Sequence, residues 1–342
     1  MTPDRFDQIT HEFERMRLAV VGDFCLDRYL EIDPARAEIS IETGLPVHNV
    51  VRVRSQPGAA GTILNNLVAL GVGEILPVGF CGHDGEGYEL LAALKAMRDV
   101  QTGHFLQTPE RRTFTYCKPL VLEPGRAPRE LSRLDSKNWS PTPASVRRAL
   151  NDAFEMVAER ANGLILMDQV DVAETGVVTA NLLEVVKLQA SARPELLMLA
   201  DSRRSLKGWP SVALKMNERE LAALVGKTFS DLTAVLASAS TLAQQQARPV
   251  FVTLAERGIV GADADGHAEH VPAFPVRGEI DIVGAGDAVT ANLTAALAAG
   301  ATLREALELA MAAASVVIHQ LGTTGTATVE DLWKLLFPQA TR

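Results

Sequence analysis

Short apolar runs recur along this chain, and each is followed by a segment of helix length. The runs Leu18-Ala19-Val20-Val21, Ile75-Leu76-Pro77-Val78, Leu164-Ile165-Leu166-Met167, Leu196-Leu197-Met198-Leu199 and Val250-Phe251-Val252-Thr253 read as strands. None alternates apolar with polar residues as a strand with one wet face does, so burial on both faces is expected. Helical stretches at 62–70, 88–97, 144–160 and 175–189 lie between them. This rhythm predicts an α/β chain built on a largely parallel sheet with helices on both sides. Ligands of such sheets gather beyond the carboxyl ends of the strands.

Two segments break the rhythm. Residues 29–54 are rich in β-branched residues with alternating charge, and residues 111–134 carry Thr113-Phe114-Thr115-Tyr116, a turn at Pro124 and Gly125, then Glu130-Leu131-Ser132-Arg133-Leu134. Both read as strands with exposed faces, either joined in one small sheet outside the main one or standing as two surface hairpins. Near the C-terminus, Thr302-Leu303-Arg304-Glu305 is a capping box opening an apolar helix that Gly322 is expected to close; the helix before it, 288–299, ends at Gly300.

Composition narrows the function. The 342 residues are 47% hydrophobic and 22% charged, with a net charge of −9 and no dense Lys/Arg run. A nucleic-acid binder normally carries a basic stripe, so no nucleic-acid partner is expected. No apolar stretch reaches the ~18 residues of a membrane span, and the first 20 residues lack a signal-type apolar core. Cys25, Cys81 and Cys117 have neither metal-ligand spacing nor the even count of a disulfide framework. A cytoplasmic location and no membrane partner are the expectation.

The segment Asp281-Ile282-Val283-Gly284-Ala285-Gly286-Asp287 carries the most chemistry, and a helix is expected from Ala288. Two glycines let backbone approach a ligand, and N–H groups at a helix N-terminus attract an anion. A phosphoryl group in transfer needs such donors, and Asp287 beside them can accept a hydroxyl proton. The same pattern also suits a plain N-cap on a tight turn. Val289 stands where a dinucleotide fingerprint needs glycine, and no Gly-x-x-x-x-Gly-Lys-Ser/Thr loop occurs.

Residues 281–287 resemble the C-terminal signature of the PfkB/ribokinase family of carbohydrate kinases. The likeness extends along the chain. Val21-Gly22-Asp23-Phe24-Cys25-Leu26-Asp27-Arg28-Tyr29 resembles the first-strand motif of the heptose-7-phosphate kinase branch. Pro57-Gly58-Ala59-Ala60, followed by Asn66 and Leu70-Gly71, is similar to the family's glycine-rich helix start. Gly82-His83-Asp84-Gly85-Glu86-Gly87 is similar to its Gly-x-Asp-x-x-Gly segment, Arg133-Leu134-Asp135 to a lid strand end, and Asn217-Glu218-Arg219-Glu220 to its Asn-x-x-Glu motif.

This resemblance implies one ribokinase-like domain over 1–342, with a central, mostly parallel sheet and a β-sheet lid from 29–55 and 109–135. It implies an ATP- and Mg²⁺-dependent kinase acting on a sugar or sugar phosphate, best a D-glycero-D-manno-heptose 7-phosphate-like acceptor. Asp287 would be the general base, with Gly284, Ala285 and Gly286 as the anion hole. Asp27, Gly58, Ala59 and Thr62 would line the sugar site with Asp287. Asn217, Glu220, Thr253 and Gly258 would hold the nucleotide, Glu220 reaching Mg²⁺ indirectly. Asp281 and Val283 would form a K⁺ loop, and lid strands would pair two copies into a homodimer.

Departures touch the sugar side. Gly58-Ala59-Ala60-Gly61-Thr62 stands where the heptose branch has Gly-Gly-Ala-Ala-Asn, and Ala255 stands near a glycine-rich nucleotide turn. A Thr hydroxyl cannot offer the separate donor and acceptor of an amide, so a shifted sugar preference is expected. Ribose, fructose or nucleoside phosphorylation and a non-catalytic binding role are the alternatives. Arg28, Lys118 and Arg133 could contact a phosphate on the acceptor or be solvated strand edges; Trp139, Trp209 and Trp333 read as packing residues.

Overall fold

The computed structural model describes residues 1–322 and 324–340. Among them, an eight-stranded sheet runs in the spatial order Ala268–Val271, Ile259–Ala262, Val250–Thr253, Ala213–Asn217, Leu197–Ser202, Gly163–Asp168, Arg17–Gly22, Glu74–Val78. The six strands from Val250–Thr253 to Glu74–Val78 are parallel; the two at the other edge are antiparallel. Alternate side chains explain the unbroken apolar runs. Leu18, Val20, Ile165 and Met167 enter one hydrophobic cluster, while Ala19, Val21, Leu164 and Leu166 enter the cluster on the opposite face. Full burial of each Val, Leu or Ile side chain contributes about 1.5–3 kcal/mol.

Parallel register brings one end of each strand to a common edge. Gly22 lies opposite Met167, Met167 opposite Asp201, Asp201 opposite Lys215, and Asn217 opposite Thr253. The candidate site is built along this edge.

A second, five-stranded sheet stands apart from the first. Its strand Phe24–Ile32 pairs antiparallel with Val50–Ala59 and parallel with Phe114–Val121; Arg129–Glu130 and Leu134–Ser136 pair with Phe114–Val121. The two segments that break the strand–helix rhythm therefore share one sheet.

Three helix boundaries differ from expectation. The helix expected over 175–189 is Ala180–Ala192, capped by Thr179. The residues before it form a loop, because the buried Asp23 carboxylate accepts the N–H groups of Gln169 (2.8 Å), Val170 (3.2 Å) and Val177 (2.7 Å). The helix Leu303–Ile318 does begin at a capping box from Thr302 to Glu305. It ends at His319, whose ring nitrogen Nδ1 lies 2.6 Å from the Ser315 carbonyl oxygen, and not at Gly322. Finally, the helix expected from Ala288 is Ala285–Ala298, which puts Asp287 inside its first turn.

Candidate active site

Gly284 opens the helix Ala285–Ala298 at φ 84°, in the left-handed region, with no side-chain cap. A Cβ here would lie 2.8 Å from the Thr324 methyl and 3.6 Å from the Thr62 methyl, so glycine is needed for space as well as conformation. The N–H groups of Gly284, Gly286 and Asp287 meet no acceptor among the described residues, as befits a helix's first turn. Ala285, expected to join them, instead donates to the Ile282 carbonyl at 3.2 Å. The tight turn that frees its neighbours consumes this one donor.

Asp287 lies deep among protein atoms yet keeps contact with solvent. Burial first, then the nearby Asp201 carboxylate, pushes its pKa up to about 7; Lys215 opposes the rise and Asp27 adds to it. Lys215 projects from the strand Ala213–Asn217 and places Nζ 2.7 Å from Asp201 Oδ2, which also accepts the Thr290 hydroxyl at 3.1 Å. A Cβ on Gly286 would sit 3.2 Å from that Nζ, so the ammonium lies against the glycine turn. Burial acts to lower the Lys215 pKa, but Asp201, Asp287 and Glu220 outweigh it and hold the group charged.

Across the turn lies the second sheet. Asp27 is buried and paired with Lys118 Nζ at 3.1 Å. A Cβ on Gly58 would come 2.4 Å from Asp27 Oδ2, so only glycine lets this strand pass the carboxylate. Ala59 adopts φ 53°, ψ −118°, a conformation suited to glycine. Thr62 is buried in the first turn of the helix Ala60–Ala69. Gln56, on the same strand as Gly58, donates to the Thr324 hydroxyl and ties the second sheet to the loop beside Gly284.

On the other side of the turn a cleft of about 700 Å³ is lined by Asn217, Thr253, Ala255, Gly258, Phe274 and Gly286, with further apolar side chains from the helix Leu303–Ile318. Asn217 and Glu220 form a capping box: Asn217 Oδ1 accepts the Glu220 N–H at 2.9 Å, and Glu220 Oε2 accepts the Asn217 N–H at 2.7 Å. Each side chain keeps part of its polar capacity for a ligand. Asp281 accepts the Val283 N–H at 3.0 Å, and Val283 is exposed.

Three basic residues at the second sheet, Arg28, Lys118 and Arg133, each have an acidic partner. Arg28 binds Glu89 at 2.8 Å, Lys118 binds Asp27, and Arg133 binds Asp135 at 2.9 Å. Trp333 is buried against Phe6 and Phe337, whereas Trp139, expected to pack, is 72% exposed.

Lys215, Asp201 and Asp23 were not singled out from sequence. The signal was present: each is a charged residue at or near the carboxyl end of a buried strand or just beyond one, where solvation alone does not account for it.

Known proteins share this chain's fold and, over part of its length, its family. Residues 170–329 match the family described as pfkB family carbohydrate kinase. The chain is 31% identical over 344 aligned positions to the Bifunctional protein HldE of Bradyrhizobium sp. (strain ORS 278), covering 98% of this chain and 66% of that protein. It is 33% identical over 315 to the HldE of Hyphomonas neptunium, covering 92% and 61%. The chain thus spans less than two thirds of the length of these relatives. Among solved structures, Escherichia coli phosphofructokinase-2 in complex with substrates and products aligns with a TM-score of 0.70 at 19% identity, covering 94% of this chain and 98% of that one. Arabidopsis thaliana ribokinase complexed with ribose and ATP aligns at 0.66 and 18%, covering 95% and 99%. The chain carries a pfkB family carbohydrate kinase domain on a ribokinase-like fold.

Proposed function

We propose that this chain transfers the γ-phosphoryl group of ATP to a hydroxyl of a sugar or sugar phosphate, with a D-glycero-D-manno-heptose 7-phosphate-like acceptor as the leading candidate. The observation that carries the reading is the turn at 284–287: unpaired N–H groups, a charged lysine and a carboxylate of raised pKa meet where the 700 Å³ cleft adjoins the Asp27 site. The acceptor binds over Asp27, Gly58, Ala59 and Thr62. Asp287 takes the hydroxyl proton as that oxygen bonds to the γ-phosphorus and the bond to the ADP oxygen breaks. The N–H groups of Gly284, Gly286 and Asp287, with Lys215, receive the charge spread over the phosphoryl oxygens.

The apolar cleft suits an adenine and ribose, with Thr253 and Gly258 along its wall and Asn217 toward the phosphates. The Glu220 oxygen left over from the capping box suits a water-mediated contact to Mg²⁺, which when bound draws charge from the phosphates. Asp281 and the backbone at Val283 are the place for K⁺. The three cysteines are free and buried, in keeping with a reducing cytoplasm, and no described helix is long and apolar enough to cross a membrane.

The test is ADP release over a panel of heptose 7-phosphate, ribose, fructose and fructose phosphates. Acceptor-dependent release is expected, and Asp287→Asn should lower kcat roughly 10²–10⁴-fold with nucleotide binding retained. Near-normal turnover in that variant removes Asp287 as the base; binding of a sugar with no turnover anywhere on the panel favours a non-catalytic binder.

A further inference from the structure

The nucleotide cleft has one wall that is neither helix nor strand. Residues 272–284 run from the strand Ala268–Val271 to the helix Ala285–Ala298 as a strap, and its Phe274, Pro275, Val276, Ile280 and Ile282 line the cleft. Packing does little to hold this strap, since Val276, Ile280 and Ile282 are 52%, 42% and 73% exposed. Two hydrogen bonds fasten it to the end of the helix Leu303–Ile318. The Asp281 N–H donates to the Ile318 carbonyl at 2.8 Å, and the Arg277 N–H donates to His319 Nε2 at 2.9 Å.

The two bonds differ in what they require. The first joins backbone to backbone and is indifferent to side chains. The second depends on the residue at 319. A backbone N–H only donates, so Nε2 is the acceptor; a carbonyl only accepts, so Nδ1, 2.6 Å from the Ser315 oxygen, carries the proton. The ring is therefore neutral and in one tautomer, aimed by the helix through Ser315 while it receives the strap. It does not line the nucleotide cleft; it borders a separate groove with Asp331 and Lys334.

We infer that His319 is a positioning residue for the nucleotide, latching residues 274–280 in the shape that closes the cleft around base and ribose. It acts through the Arg277 backbone and leaves the phosphates and the acceptor alone. The inference rests on the reading of this cleft as the nucleotide site.

Calorimetry with ATP and Mg²⁺ on the full chain tests it, alongside hydrogen exchange over 274–281 measured without nucleotide. In His319→Leu, which keeps bulk and loses both polar roles, the strap should exchange faster. Losing one such bond should weaken ATP binding about 3- to 10-fold. In ADP release the nucleotide KM should rise by a similar factor, with kcat and acceptor KM changed less than about twofold. His319→Gln, whose amide offers both a donor and an acceptor, should recover most of the loss. Arg277→Ala keeps the backbone donor and should behave as the parent. A His319→Leu chain that binds ATP as the parent does overturns the latch. So does a Gln variant as impaired as the Leu variant, or an Arg277→Ala variant as impaired as either. A parent chain that binds no ATP sinks the nucleotide reading instead, and strap exchange that then quickens in the Leu variant alone leaves the His319 latch standing.

Discussion

Asp287 and Lys215 share one electrostatic problem. Burial and Asp201 favour the protonated form of Asp287, and Lys215 counteracts them. A base must be ionised to accept a proton, so kcat/KM should fall as pH drops through about 7 and level off above it. Lys215→Met removes the influence that holds this pKa down and leaves Asp201 without its ammonium partner. The acidic limb of the pH–rate profile should therefore move to higher pH, and kcat should fall because a phosphate-facing charge is lost. A limb that stays in place would dissociate Lys215 from the titrating group. The two residues differed in legibility. Asp287 could be found because glycines and a helix start surround it in sequence. Lys215 and Asp201 are 14 residues apart and become neighbours only when two parallel strands fall into register.

At the scale of elements, five of the buried strands were readable because each buries both faces, a property local sequence displays; their order in the sheet was not. Boundaries were less readable where a distant group decided them. The loop before the helix Ala180–Ala192 exists because Asp23, some 150 positions earlier, takes its N–H groups. Equally invisible was the conformation of the turn at Ala59, which joins the strand Val50–Ala59 to the helix Ala60–Ala69 at φ 53°, ψ −118°. An L-residue with positive φ carries strain of roughly 1–3 kcal/mol, whereas a glycine carries little. Glycine also loosens the unfolded chain by about 0.4–1 kcal/mol, which offsets part of the gain. Ala59→Gly should therefore raise stability by about 1 kcal/mol, read as a higher denaturant midpoint at unchanged slope. An unchanged or lower midpoint would mean that the surrounding structure has relaxed the strain. Because Ala59 also lines a slot beside Tyr116, the same variant should change acceptor KM more than nucleotide KM.

On the scale of the whole molecule, the second sheet has two faces of different character. Asp27, Tyr29, Tyr116, Lys118 and Gln56 share the face toward the acceptor site. Pairing register assigns Leu30, Val53, Pro119 and Leu134 to the opposite face, where Val53 is 46% and Leu134 65% exposed. Val51, Ile39, Ile41 and Leu45 add exposed hydrocarbon nearby. The strand Val50–Ala59 also sits at an edge of that sheet, with no strand paired on its outer side among the described residues. A lone, water-facing sheet normally blunts such an edge with charge and keeps its outer face polar. A second copy laid against this face by a two-fold axis would cover both liabilities and brace the second sheet over the acceptor. The chain should accordingly show a light-scattering mass twice that of one copy. Val51→Lys with Val53→Lys should halve that mass and raise acceptor KM, because the sheet loses its brace while Asp287 and the nucleotide cleft are untouched. A monomeric parent chain, or a double variant that stays dimeric, would place the contact elsewhere and leave this apolar face without an occupant.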